Sequence, residues 1–120
     1  MGCASSDMVD MILQTYKNEI NSAKTEIENL KQKNPNDCLS ILFKLMNGKS
    51  IVITCSKNTP LFSVFLLLID KAHDNEYSNI NKLKMYYNSI NITHNFNQNS
   101  NKIISDLNFT TAVPVIHINT

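Results

Sequence analysis

The sequence predicts an α+β protein: a mixed sheet in ββαββ order wrapped around one helix, preceded by a long amphipathic helix. Three observations carry this prediction. Two alternating apolar runs flank Asn47-Gly48, and an Asn-Gly pair so placed is a strong hairpin signal because both residues tolerate positive φ. A very apolar stretch, Leu61 to Ala72, follows Thr59-Pro60, a capping residue and a proline suited to the first helical turn. Upstream, apolar residues recur in alternating steps of four and three from Val9 to Leu30, the spacing of a helical seam.

In chain order, residues 1–6 read as a flexible start with a lipidation motif. Met1-Gly2-Cys3-Ala4-Ser5-Ser6 matches the N-myristoylation pattern at Gly2, and Cys3 is placed for a palmitoyl chain. One myristoyl chain gives only marginal membrane binding, about 10⁴ M⁻¹, whereas two chains anchor stably. No polybasic stretch lies nearby, so Cys3 would supply the second signal. The plain alternative is an ordinary chain start.

Residues 7–34 read as one helix. Asp7 stands where an N-cap belongs and Pro35 follows the end, with no glycine or proline between them. Val9, Leu13, Tyr16, Ile20, Ala23, Ile27 and Leu30 form the seam, and charged residues occupy the other faces. The seam has three possible partners: a second copy in a homodimer, a foreign helix, or this chain's own domain. The pattern alone favours another chain, which makes Val9, Leu13, Tyr16, Ile20, Ile27 and Leu30 candidate partner-binding residues. Ala23 and Tyr16 are mediocre seam residues, which argues against a strong autonomous coiled coil.

Residues 39–119 read as the globular domain. Ile41, Phe43 and Leu45 alternate with Leu42 and Lys44, and Ile51, Ile53 and Cys55 alternate with Val52 and Thr54. In the helix, Leu61, Val64, Leu68 and Ala72 mark one face. Phe62, Phe65, Leu66, Leu67 and Ile69 make it apolar nearly all round, and such a helix is buried on more than one side. Covering these side chains is worth roughly 1.5–3 kcal/mol each. The N-terminal helix and a partner protein are the two candidate covers, so Phe62, Phe65 and Leu66 are also candidate partner-binding residues. Leu83, Met85 and Tyr87 suggest a third strand, Ile90 to Ile92 a short fourth, His94 to Asn101 a polar loop, and Val115 to Ile118 the last strand.

This part of the chain resembles ubiquitin. Lys44-Leu45-Met46-Asn47-Gly48-Lys49-Ser50-Ile51 resembles the family's first turn, and Thr59-Pro60-Leu61 through Val64 and Ile69 its helix. Ile104-Ser105-Asp106-Leu107-Asn108-Phe109 resembles the stretch before its last strand. The resemblance spans roughly Leu39 to Asn119 and implies a ubiquitin-like β-grasp. The alternation agrees independently: Ile41, Phe43, Ile51, Ile53, Met85 and Tyr87 would all face the helix. One inserted residue near Thr111 to Pro114 would place Ile116 and Ile118 inward and His117 outward; a one-residue slip would swap these faces.

Two departures bear on function. Gly2 and Gly48 account for the two glycines, so the family's Gly-Gly tail is absent and conjugation through the C-terminus is not expected. The family's apolar recognition patch is only partly kept. Met46, Tyr86 and His117 fall on matching positions, and Asn119 stands where an apolar residue is expected. Met46 and Tyr86 are therefore candidate partner-binding residues.

Composition and motifs exclude several classes. A net charge of +1 gives no reason to expect nucleic acid. Three cysteines without paired spacing fit a reducing, cytoplasmic setting. No apolar run reaches bilayer length, and no signal-peptide pattern appears. Asn91-Ile92-Thr93 and Asn108-Phe109-Thr110 match the glycosylation pattern by chance in an asparagine-rich chain. The histidines and cysteines lack metal-ligand spacing, and Asp70, Asp74 and Glu76 read as a solvated helix end. No nucleophile–base pair or phosphate loop is present, so neither a catalytic role nor a cofactor is expected. The leading expectation is a non-catalytic ubiquitin-like interaction module held at a cytoplasmic membrane face by acyl chains. The alternative is a structural subunit of a larger, for example cytoskeletal, assembly docked through its N-terminal helix.

Overall fold

The computed structural model describes residues 17–46, 48–72, 83–97 and 99–119. Its elements run α1 (Lys17–Lys33), β1 (Cys38–Lys44), β2 (Ser50–Ser56), α2 (Leu61–Ala72), β3 (Lys84–Tyr87), β4 (Ile90–Asn91) and β5 (Val115–Asn119). Short 3-10 turns lie at Pro35–Asp37, Thr93–Phe96 and Ile104–Leu107. Gly2, Cys3, Asp7, Val9, Leu13 and Tyr16 lie outside the described residues.

The five strands form one sheet in the order β2-β1-β5-β3-β4. β1 and β5 run parallel, and the other pairs are antiparallel. Parallel first and last strands require a crossover, and α2 lies in it, against the inner face. Period-two alternation sets the core. Ile41, Phe43, Ile53, Cys55, Met85, Ile116 and Ile118 are buried under α2, and Ile51 and Tyr87 pack partly buried against them. His117 is exposed between buried Ile116 and Ile118, so β5 faces the core as expected.

The hairpin between β1 and β2 closes through a three-residue loop. The Leu45 N–H donates to the Lys49 carbonyl at 2.9 Å, and the Gly48 N–H to the Leu45 carbonyl at 3.1 Å. Gly48 has φ of +87°. A Cβ there would meet no atom within 4 Å, so only backbone strain opposes a side chain. Gly48→Ala is expected to cost about 1 kcal/mol in chemical denaturation.

Two local expectations are corrected. Thr59 does not cap α2: its Oγ1 is buried and accepts no backbone N–H. The start of the helix is instead held by the turn before β5. The Leu61 N–H donates to the Lys102 carbonyl, and the Ile104 N–H to the Thr59 carbonyl, both at 3.0 Å. The Asp106 carboxylate accepts the Ile103 N–H at 2.8 Å and fixes that turn. Second, the stretch read as a polar loop contains Phe96, which is 2% exposed and lies in the main core. The 3-10 turn Thr93–Phe96 swings this one apolar residue under the sheet.

Candidate interaction surface

Two surfaces compete as interaction sites: the outer side of α2 and the outer face of the sheet. The first is covered. Ile20 (5% exposed), Ala23 (4%) and Leu66 (3%) form a buried cluster between α1 and α2, with Phe62 packed against it. Ile27 reaches the main core, and Phe65 packs half-buried on that core. The rings of Phe62 and Phe65 lie 6.2 Å apart. Ser63 Oγ donates to Glu26 Oε1 at 2.7 Å, and Lys24 Nζ lies 2.9 Å from Asp70 Oδ2. Such exposed polar contacts contribute about 0–1 kcal/mol, so apolar burial is what docks α1.

Within Lys17–Lys33 the seam therefore meets its own domain. This corrects the reading of Ile20, Ile27 and Leu66 as partner-binding residues, because all three are interior. Leu30, Phe62 and Phe65 remain half-buried. The cause is tethering. Only Asn34 and the turn Pro35–Asp37 separate α1 from β1, so the exposed side of α2 presents itself at a far higher effective concentration than any foreign helix.

The outer face of the sheet has no such cover among the described residues. β1 contributes Ser40, Leu42 and Lys44, and β2 contributes Ser50, Val52 and Thr54. β5 contributes Val115, His117 and Asn119, and β3 contributes Lys84 and Tyr86. Register aligns these in rows. His117 stands opposite both Lys44 and Tyr86, and Met46, 63% exposed, lies just beyond β1. Tyr86 and His117 thus share one face, with exposed Asn119 also on it, and Met46 is exposed in the turn that follows β1.

A second row was missed. Leu42 stands opposite both Val52 and Val115, making an apolar line across three strands, and Val52 is 53% exposed. The signal lay in the alternation itself: Leu42 and Val52 are apolar residues at outward positions. Neither belongs to the matched patch, so both read as ordinary strand formers.

Among the described residues, neither Cys38 nor Cys55 has a catalytic partner beside it. Cys55 is fully buried, and burial pushes its thiol up to about 12. The thiolate is the nucleophilic form, so this thiol is inert at neutral pH. Cys38 is half-buried, and its thiol donates to the Asn34 carbonyl at 3.3 Å. His94 and His117 are exposed, and His73, Asp74 and Glu76 lie outside the described residues. Among the described residues, no three His, Cys, Asp or Glu side chains converge as a metal site. No helix among them is long and apolar enough to cross a membrane.

No family model and no curated protein matches the chain by sequence. Solved structures do match by shape. A de novo protein designed on the basis of ubiquitin aligns with a TM-score of 0.51 at 12% identity, covering 71% of this chain and 90% of that one. The UBL domain of yeast Ddi1 aligns with a TM-score of 0.48 at 16% identity, covering 71% and 93%. At such identities likeness is a statement about fold alone. Strand order, the parallel β1–β5 pair, the crossover helix and the likeness to the designed protein agree: this chain has the ubiquitin-like β-grasp fold, with a helix added before it.

Proposed function

We propose that this chain is a non-catalytic protein-interaction module that engages its partners through the outer face of the sheet. One observation supports this most. Tyr86 and His117 share a face that no described element covers, with Met46 exposed in the adjoining turn, while the apolar outer side of α2 is covered by α1. Aromatic residues at the centre of such faces commonly dominate binding. Truncating one costs about 2 kcal/mol or more, roughly 30-fold in affinity.

Affinity capture from the native cell with the wild-type chain, compared quantitatively with Met46→Asp and Tyr86→Ala, tests this reading. Both substitutions are at surface positions and leave the core intact. The expected result is selective loss of one set of captured proteins from both variants. An unchanged set rules out this face.

The finer part of the proposal is a tether at a cytoplasmic membrane face through acyl chains on Gly2 and Cys3. Its support is the motif Met1 to Ser6 and the need for two chains for stable anchoring. Intact mass from the native cell reports both modifications at once. Gly2→Ala should release the protein from membranes, and an unaltered distribution would remove the tether. The other reading, an assembly subunit docked through the N-terminal helix, would have to use residues other than the Ile20–Ile27 part of the seam, which is occupied.

A further inference from the structure

β2 is an edge of the sheet. It pairs with β1 residue by residue from Ser56 to Ser50, without a bulge. The ladder is bracketed by hydrogen bonds from the Leu45 N–H to the Lys49 carbonyl and from the Lys57 N–H to the Asp37 carbonyl. In an antiparallel ladder, alternate residues bond across, so Ile51, Ile53 and Cys55 direct their backbone groups at β1. Ser50, Val52, Thr54 and Ser56 direct theirs away from the sheet. The Ser56 carbonyl is taken by the Thr59 N–H at 3.0 Å. No hydrogen bond among the described residues uses the outward backbone groups of Ser50, Val52 or Thr54. All three side chains are exposed on the outer face.

Exposed edges are ordinarily blunted by proline, charge or a bulge. Ser-Ile-Val-Ile-Thr-Cys-Ser carries no proline and no charge, and its pairing has no bulge. Among the described residues no strand pairs with this edge, and its sequence suits one occupant.

We infer that β2 is a contact between two copies of this chain, paired antiparallel about a two-fold axis through Val52. Three observations select this occupant and register. Symmetric contacts are self-complementary, and the free groups fall on Ser50, Val52 and Thr54, evenly about Val52. Only the register with Val52 opposite its own mate pairs all three at once, Ser50 then facing Thr54 of the second copy. Charge agrees. Lys49 and Lys57 flank the strand, and with Val52 on the axis neither lysine stands opposite a lysine of the second copy. The apolar row agrees too. Val115, Leu42 and Val52 run to the edge, and the axis joins this row to its copy as one stripe across both sheets. Tyr86 and His117 lie away from the axis on β3 and β5, so the face proposed for other partners stays open.

Sedimentation equilibrium of the full chain tests the assignment, with charge placed on the axis. Wild type is expected to form a reversible dimer below about 1 mM, the scale of a weak specific contact. Val52→Lys and Val52→Glu each put like charges directly opposite one another, which is destabilising in a cross-strand pair. Each is expected to weaken dimerisation at least tenfold while keeping the wild-type circular dichroism spectrum. An equimolar mixture of the two is expected to associate again, because lysine then faces glutamate. A separate chain carrying both Ser50→Lys and Thr54→Glu should dimerise more tightly than wild type, since each new charge faces its opposite. A wild-type chain that stays monomeric to about 1 mM overturns the inference and leaves the edge to a foreign strand. So does dimerisation that Val52→Lys does not alter, or a mixture that fails to associate when wild type does.

Discussion

Leu66→Ala is expected to lower the stability of the protein by about 2–4 kcal/mol in urea denaturation. The position is diagnostic because it lies on the side of α2 that faces away from the sheet. If α1 were not docked there, Leu66 would be in water and the substitution would be nearly neutral, within about 0.5 kcal/mol. With α1 in place Leu66 is 3% exposed, held by Ile20, Ala23 and Phe62. Truncation then removes buried methyl groups and leaves a void that two crossing helices close only in part. Ile20→Ala should act on the same contact, so the double substitution should fall short of the summed single effects by about 0.5 kcal/mol or more. A near-zero effect at Leu66, or strict additivity with Ile20, would show that α1 does not pack on this helix in solution.

Between pH 9 and 12 the protein should lose up to about 4 kcal/mol of stability through Cys55 alone. Burial raises this thiol from 9.0 to about 12, the nearby Cys38 adds to the rise, and Thr59 and Lys31 oppose it. The direction follows from linkage. Below pH 9 the thiol is protonated in both states, and its contribution is fully present. Above pH 9 the unfolded chain releases the proton and the folded chain does not, so unfolding becomes more favourable by about 1.4 kcal/mol per pH unit. The loss ends once the folded thiol also ionises. Lysines and tyrosines titrate in the same window, so the measured quantity is the difference between wild type and Cys55→Val. The variant's denaturation midpoint should fall less steeply with pH. Parallel curves would mean that Cys55 is wetter than the fold implies. The same burial predicts that native Cys55 resists alkylation at pH 8 while the half-buried Cys38 reacts.

The sheet was legible in advance because a strand declares its faces locally. Ile41, Phe43, Ile53 and Met85 are buried as their alternation requires. Even β5, where one residue of slip would have turned Ile116 and Ile118 outward, adopts the expected register. The turn at Ile104–Leu107 was found from the residues that resemble the family's. Phe96 was not, since a single apolar residue inside an asparagine-rich run has no period to betray it. Nor was Thr59: threonine before proline has the right chemistry for a cap, but the backbone carbonyl of Lys102, distant in sequence, reaches the Leu61 N–H first. The candidate surface was half legible. Met46, Tyr86 and His117 were picked out by resemblance, whereas the row Val52, Leu42 and Val115 becomes visible only when three strands are laid side by side.

Periodicity and turn chemistry, read along the chain, were enough to determine the class of fold, the inner face of each strand and the surplus apolar surface on α2. Those properties depend on neighbours within a few residues. Which surface would bury that surplus was a contest among a second copy, a foreign helix and this chain's own α1. Tertiary structure decided it, because a seam joined to β1 by a single short turn finds its own domain before it can meet another molecule.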